Sequence, residues 1–287
     1  MAKPTGTLWI VATPIGNLED ISPRARQALA EADRVLCEDT RHTGRLLAAF
    51  GIPARTTSLH EHNEARQAEG LVASLLDGRS MALVSDAGTP LVSDPGYRLV
   101  QAAAAAGVPV RPVPGPCAAI AALSVAGLPT DRFAFEGFLP ARPAQRRAAL
   151  EGLAAEPRTL VFYEAGRRLA GFLDDAAEVL GGERPAVVAR ELTKLHETVY
   201  RGTLGELALR LAADPDAARG ELVGVVAGSA DEGTGEAGAL LGKLLPLLLE
   251  ELPPSRAVRV AARATGLPRR QVYEAALKLG TMPAADE

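Results

Sequence analysis

The chain has little cysteine, few aromatics, no long apolar run and no excess of positive charge. Its two cysteines, Cys37 and Cys117, stand far apart and form no C-x-x-C pair. That excludes a disulfide framework or a thiolate metal cluster as the source of stability, and fits a reducing compartment. No apolar run reaches the ~18 residues of a membrane span. The opening Met1-Ala2-Lys3-Pro4 lacks the apolar stretch of a signal peptide, so the expectation is a cytoplasmic protein with no membrane partner. Lys and Arg number 31 against 35 Asp and Glu, a formal net charge of −4. Proteins that grip bare nucleic acid carry a basic excess, so any such contact here must come from a local basic patch.

What is present is length and order. At about 150 residues per domain, 287 residues predict two domains, with a core large enough to need no covalent staple. The first half alternates short apolar runs with helical patterns, the pattern of βαβ units on a parallel sheet. The runs are Leu8 to Ala12, Arg34 to Cys37, Arg55 to Leu59, Met81 to Val84 and Val108 to Val113. Ser22-Pro23 reads as a helix N-cap followed by proline at the first helical position. Gly51 and Gly107 stand where left-handed C-terminal caps belong.

Pro114-Gly115-Pro116 breaks the pattern and marks the first domain as 1–114. A second series follows over 115–228, with strands at Phe133 to Phe138, Thr159 to Tyr163, Ala186 to Arg190, Thr198 to Gly202 and Leu222 to Ala227. Its helices fall near 143–155, 167–180 and 204–213, which leaves room for a mixed sheet. The fold class is therefore α/β: a five-stranded parallel domain, a mixed second domain and a short C-terminal helical segment. Residues 229–238, small and acidic, read as a linker. Residues 239–287 read as helices in a helix-turn-helix pattern around Thr265-Gly266-Leu267.

Three loops follow strands of the first series, and ligands of open α/β sheets bind at such carboxyl ends. They are Thr13 to Leu18, Ser85 to Gly96 and Pro114 to Ala119. In the second, Asp94-Pro95 reads as a cap and first helical residue, whereas Asp86 has no such structural duty. Cys117 reads as a packing residue, since no histidine lies near it in sequence.

These loops carry a resemblance. Thr13-Pro14-Ile15-Gly16-Asn17-Leu18, Glu38-Asp39-Thr40-Arg41-His42-Thr43, His60-Glu61-His62-Asn63-Glu64, Ser85-Asp86-Ala87-Gly88-Thr89-Pro90, Pro114-Gly115-Pro116 and Ala189-Arg190-Glu191-Leu192-Thr193-Lys194 occur in family order. The chain resembles the bacterial 16S rRNA (cytidine-2′-O)-methyltransferases of the tetrapyrrole methylase superfamily. The resemblance implies S-adenosylmethionine as methyl donor, a homodimer, and 16S rRNA as substrate within the assembled small ribosomal subunit. It implies cofactor contacts at Pro14, Asp86, Thr89, Leu91, Cys117 and Ala118, with Phe162, Ala189 and Arg190 closing over the cofactor. One departure stands out: relatives usually read Tyr-Glu-x-Pro-His-Arg where this chain has Tyr163-Glu164-Ala165-Gly166-Arg167-Arg168.

A ribose 2′-hydroxyl is a weak nucleophile and needs an acceptor for its proton. Glu38, Asp39, His60 and Glu191 are the candidates in family motifs, with Arg41 and Lys194 available for phosphate. His60-x-His62 completes no zinc-ligand set, so no metal is expected. Gly233 to Gly238 matches G-x-G-x-x-G but is acidic and follows Asp231-Glu232, which disqualifies it for a pyrophosphate. Basic residues gather at Arg142, Arg146 and Arg147, and in the tail. There Arg256, Arg259 and Arg263 share a helix face and Arg269-Arg270 opens the next helix; RNA contact is assigned to the tail. Two other readings stay open: a small-molecule tetrapyrrole methylase, against which the 4% aromatic content speaks, and a non-catalytic nucleic-acid binder.

Overall fold

A computed structural model describes residues 4–214, 218–229 and 236–279. The first domain holds β1 (Leu8–Val11), β2 (Arg34–Cys37), β3 (Thr56–Ser58), β4 (Met81–Leu83) and β5 (Val110–Val113), all parallel, in the order β3-β2-β4-β1-β5. Its helices are α1 (Pro23–Glu31), α2 (Thr40–Ala49), α3 (Glu61–Leu76) and α4 (Tyr97–Ala105). Successive strand residues serve opposite faces. Val35 and Cys37 pack with Ala25, Leu29 and Leu47, whereas Leu36 packs with Leu71, Leu75 and Leu99. A strand buried on both faces reads as a continuous apolar run, and each fully buried Leu or Val stabilises the fold by about 1.5–3 kcal/mol. Ser22 Oγ accepts from Ala25 N with Pro23 at the first turn, and Gly51 and Gly107 take φ of 64° and 74°.

The strand order sets the site. The chain winds outward from β1 to β3, then inserts β4 between β2 and β1, so the loops leaving β1 and β4 lie side by side where the winding reverses.

The second domain opens with α5 (Ala118–Ala126) and β6 (Phe133–Phe138), followed by α6 (Pro143–Glu151), β7 (Thr159–Ala165) and α7 (Leu169–Leu180). It ends with β8 (Pro185–Arg190), β9 (Thr198–Thr203), α8 (Leu204–Ala212) and β10 (Glu221–Val226). The sheet order is β6-β7-β10-β8-β9, with β6 and β7 parallel and the other pairs antiparallel. Leu150, Phe172, Leu173, Leu204 and Leu207 cover one face. Ala119, Ala122, Leu123 and Ala126 of α5 cover part of the other, against Val161, Val187 and Val225. Arg146 and Arg147, read above as a basic patch, both grip Asp175, at 2.7 and 2.9 Å.

The tail forms α9 (Glu236–Glu251), α10 (Pro254–Thr265) and α11 (Arg269–Lys278) around a small core of Leu241, Leu245, Val258, Ala261, Val272 and Ala276. Of the expected linker 229–238, residues 230–235 lie outside the described residues, and α9 already begins at Glu236.

One local expectation is corrected. Asp94-Pro95 does not start α4, which begins at Tyr97 after Gly96 at φ 127°. Leu91 and Ser93 at φ 71° and 67° steer the chain away from a helix there. The cap is supplied from elsewhere: buried Glu64 on α3 accepts from Leu99 N at 2.9 Å.

Candidate functional site

The loops leaving β1 and β4 are stitched into one floor. Thr13 N donates to Gly88 O at 2.9 Å, Gly88 N donates back to Thr13 O at 3.1 Å, and Thr13 Oγ1 donates to Ser85 O at 3.2 Å. Thr89 Oγ1 ties this floor to the loop before α5 by donating to Pro116 O at 2.9 Å. Gly88 is required at φ 84°, where a Cβ would also press on Ile15 at 3.2 Å. Gly16 brings the first loop against the second domain, since a Cβ there would meet Lys194 Cγ at 2.4 Å.

Between this floor and the uncovered part of the second sheet lies a cavity of about 310 Å³. Asp86, Gly88, Thr89, Ser93 and Asp94 line it from the first domain. Ala118, Phe138, Tyr163, Glu164, Ala189, Glu191, Lys194 and Glu221 line it from the second. The lining is mostly apolar and small, but its charged groups are chiefly carboxylates, Asp86, Asp94, Glu164, Glu191 and Glu221, with Lys194 the one cationic side chain among the described residues. Lys194 Nζ is already shared by Glu191 at 2.8 Å and Glu221 at 3.1 Å. Burial works against that ammonium, but the two carboxylates outweigh it and hold its pKa above the ordinary value. Glu191 is likewise pulled below the carboxylate range despite burial, by Lys194 and by the Glu221 N–H at 2.9 Å.

Asp94 goes the other way. Burial first, then the Glu38 and Asp86 carboxylates, push its pKa up to about 7 against a hydrogen bond from Ser85. Glu164 is also raised by burial, opposed by the Ala165 N–H at 2.8 Å and by Arg168 at 3.0 Å. Its Oε2 is buried without a partner. Tyr163 accepts from Ala119 N at 3.2 Å, and its ring stands edge-on to Phe135 and Phe138 at 4.8 and 5.6 Å.

The candidate residues separate clearly. Asp86, Thr89, Ala118, Ala189, Glu191 and Lys194 line one cavity. Pro14 sits half-buried beside the lining residue Ile15, and Cys117 half-buried at the N-cap of α5. Leu91 packs into the first-domain core. The side chain of Phe162 turns to the opposite face, fully buried against Phe172 at 5.5 Å between ring centroids. Arg190 also points away, donating to Arg219 O at 3.1 Å and His196 O at 3.4 Å. Alternation along a strand sends neighbours to opposite faces, so Tyr163 and Ala189 take the cavity side.

Asp39 is the N-cap of α2, accepting from Arg41 N at 2.8 Å and His42 N at 3.3 Å, and those bonds lower its pKa. Glu38 and Arg41 are exposed. His60 caps α3 beyond the edge strand β3 and does not line the cavity. Arg256, Arg259, Arg263, Arg269 and Arg270 are all exposed on the tail helices. Sequence reasoning missed Asp94, Tyr163 and Glu164. The Tyr-Glu pair was visible as a motif, and Asp94 sat inside a loop already singled out. Among the described residues no cluster of His, Cys, Asp and Glu can hold a metal ion, and no helix is long and apolar enough to cross a membrane.

Comparison with known proteins agrees with this geometry. Residues 7–208 match the family described as Tetrapyrrole (Corrin/Porphyrin) Methylases, and residues 235–280 match the RsmI C-terminal HTH domain. Ribosomal RNA small subunit methyltransferase I of Xylella fastidiosa is 55% identical over 275 residues, covering 95% of this chain and 99% of that protein. Its namesake from Pseudomonas aeruginosa is 53% identical over 95% of this chain and 97% of its own length. Uroporphyrin-III C-methyl transferase from Thermus thermophilus, solved in complex with S-adenyl homocysteine, superposes with a TM-score of 0.54 at 22% identity. That alignment covers 77% of this chain and 97% of that one, and speaks to the fold. The chain therefore belongs to the tetrapyrrole methylase family and, within it, to the group of ribosomal RNA small subunit methyltransferase I.

Proposed function

We propose that the chain transfers a methyl group from S-adenosylmethionine to the 2′-hydroxyl of a cytidine ribose in 16S rRNA. The observation that carries this reading is the acidic interdomain cavity in a chain 55% identical to a ribosomal RNA small subunit methyltransferase I. A sulfonium donor is cationic. A cavity lined by Asp86, Asp94 and Glu164, with its one ammonium already neutralised by Glu191 and Glu221, favours such a ligand. Its volume of about 310 Å³ lies at the lower end of the range for small-molecule sites. Bound there, the cofactor supplies an electrophilic methyl group and a neutral leaving group.

The protein's own contribution is position and proton transfer. Asp86 and the backbone around Gly88 and Thr89 offer acceptors and a close approach for a nucleoside. The first turn of α5 at Ala118 offers N–H groups to a ligand carboxylate. In-line alignment of the ribose oxygen on the methyl carbon is worth roughly 7–11 kcal/mol of barrier. The exposed arginines of α10 and α11 grip the RNA backbone. The net charge of −4 favours the assembled small subunit as substrate, where shape adds to charge, and the enzyme works as a homodimer in the cytoplasm.

The test uses small subunits from cells lacking the modification, incubated with this protein and labelled S-adenosylmethionine. Label in 16S rRNA, with a limiting-nucleotide primer-extension stop at one cytidine, is the expected result. Asp86→Ala should lose cofactor binding and label together. An unlabelled RNA in every assembly state, or faster labelling of protein-free RNA, overturns the corresponding part.

A further inference from the structure

Methyl transfer brings the ribose oxygen to about 3–3.5 Å from the methyl carbon. The cavity, about 310 Å³, is at the lower end of small-molecule sites, so a bound cofactor leaves no room in it for a second nucleoside. The target nucleotide therefore has to swing out of its stack to bring its sugar between the two domains, and its base then lies at the rim and needs a new surface. The rim carries one such surface. Phe138 lines the cavity and is 56% exposed, whereas Tyr163, the other aromatic of the lining among the described residues, is half-buried.

An ordinary strand would not put the Phe138 ring there. Phe135 stands opposite Val161 of β7, on the face that Tyr163 shares. Strict alternation would give the next place on that face to Gly137 and send Phe138 to the opposite face, into the core. Instead β6 carries one extra residue, Glu136, so that Gly137 pairs with Phe162 and Phe138 with Tyr163. Such bulges are rare between parallel strands, and they re-aim side chains beside active sites. Gly137 takes φ 62° to make this one, with Ser93 Oγ only 3.1 Å from where a Cβ would stand. The ring is then braced. It meets the Tyr163 ring edge-on at 5.6 Å between centroids, and the Tyr163 hydroxyl accepts from Ala119 N at 3.2 Å.

We propose that Phe138 is the stacking platform for the base of the target nucleotide, holding it out of the RNA while its 2′-hydroxyl faces the methyl donor; the assignment rests on the reading of the cavity given above. The charge around the rim favours a base over a phosphate. The charged groups of the cavity are chiefly carboxylates, and Lys194 is already shared by Glu191 and Glu221, so the uncharged base is the part of a nucleotide this wall can hold. The cofactor's own nucleoside has its acceptors on the opposite wall, at Asp86, Gly88 and Thr89 of the first domain. Every base has a π-face, so Phe138 positions the nucleotide without choosing it.

The experiment measures S-adenosylmethionine affinity by calorimetry, small-subunit affinity by filter binding, and single-turnover methylation of unmodified small subunits. Expected for Phe138→Ala are both affinities within about 3-fold of wild type and a limiting rate about 5- to 150-fold lower, the range that loss of one base–aromatic stack gives. Phe138→Tyr and Phe138→Trp keep a stacking face and should keep the rate, whereas Phe138→Leu keeps apolar bulk alone and should fall with the alanine variant. Small subunits reconstituted with RNA lacking the base at the target nucleotide have no stack to lose, so wild type and Phe138→Ala should methylate them at equal rates. An alanine or leucine variant as fast as wild type, or an alanine penalty that persists on the abasic subunits, overturns the assignment. Loss of cofactor affinity in step with rate overturns it too, by making Phe138 a cofactor contact. A wild-type protein that leaves the RNA unmethylated overturns the underlying functional reading instead, so the two failures are told apart.

Discussion

Asp94 holds its proton to about pH 7 in the folded protein against 3.8 for the free side chain. The native state therefore binds a proton that the unfolded chain has already released, and stability contributed by that carboxyl is present below pH ~4 and lost as pH rises to ~7. Asp94→Asn removes the charge and should stabilise the protein above pH 7 by about 1–2 kcal/mol, a figure discounted for the solvent screening of a half-exposed group. Urea unfolding at pH 8 and pH 4 measures this: the gap should open at pH 8 and close at pH 4. An equal gap at both would show that the carboxyl is not under pressure from Glu38, Asp86 and burial. The residue escaped sequence reasoning because Asp-Pro is a common helix start, and the left-handed φ at Leu91 and Ser93 that displaces it has no local sequence signal.

At the scale of elements, most boundaries were legible because their causes are local. Cys37 ends β2 and Phe133 starts β6 where the apolar patterns say so, and Ser22, Gly51 and Gly107 cap as their chemistry dictates. The start of α4 was not legible, because its cap lies 35 residues away on α3. Which of two adjacent strand residues faces the site was also beyond the pattern: Phe162 and Tyr163 are both aromatic, and only the packing of α7 against one sheet face decides between them. Glu64→Leu tests the long-range cap. It leaves the buried Leu99 N–H without a partner and should cost about 1–3 kcal/mol, read as a lower urea midpoint. A variant as stable as wild type would show that α4 needs no cap from α3.

For the whole molecule, the proposed function divides labour between an acidic cavity and a basic tail. On the proposed function, a chain of net charge −4 would bind RNA through Arg256, Arg259 and Arg263, exposed on α10, with Arg269 and Arg270 exposed on α11. Reversing the first three to Glu should weaken binding to small subunits at least 10-fold and flatten its salt dependence, since phosphate contacts release counterions, while S-adenosylmethionine affinity stays unchanged. Parallel loss of both affinities would mean that the tail supports the fold of the cavity rather than the substrate. The three sequence loops at Pro14, Asp86 and Pro114 converge because the winding reverses between β1 and β4, and that much of the site followed from strand ends alone. The contributions of Glu164, Glu221 and Phe138 depend on how the second sheet faces the first.

Whether this cavity delivers a methyl group to a ribose oxygen is decided by nucleoside mass spectrometry of 16S rRNA after reaction with S-adenosylmethionine. The expected product is one new methylated cytidine per small subunit whose fragmentation leaves an unmodified base and a methylated ribose. A methylated base with an unmodified ribose, or no new methylated nucleoside, would contradict it.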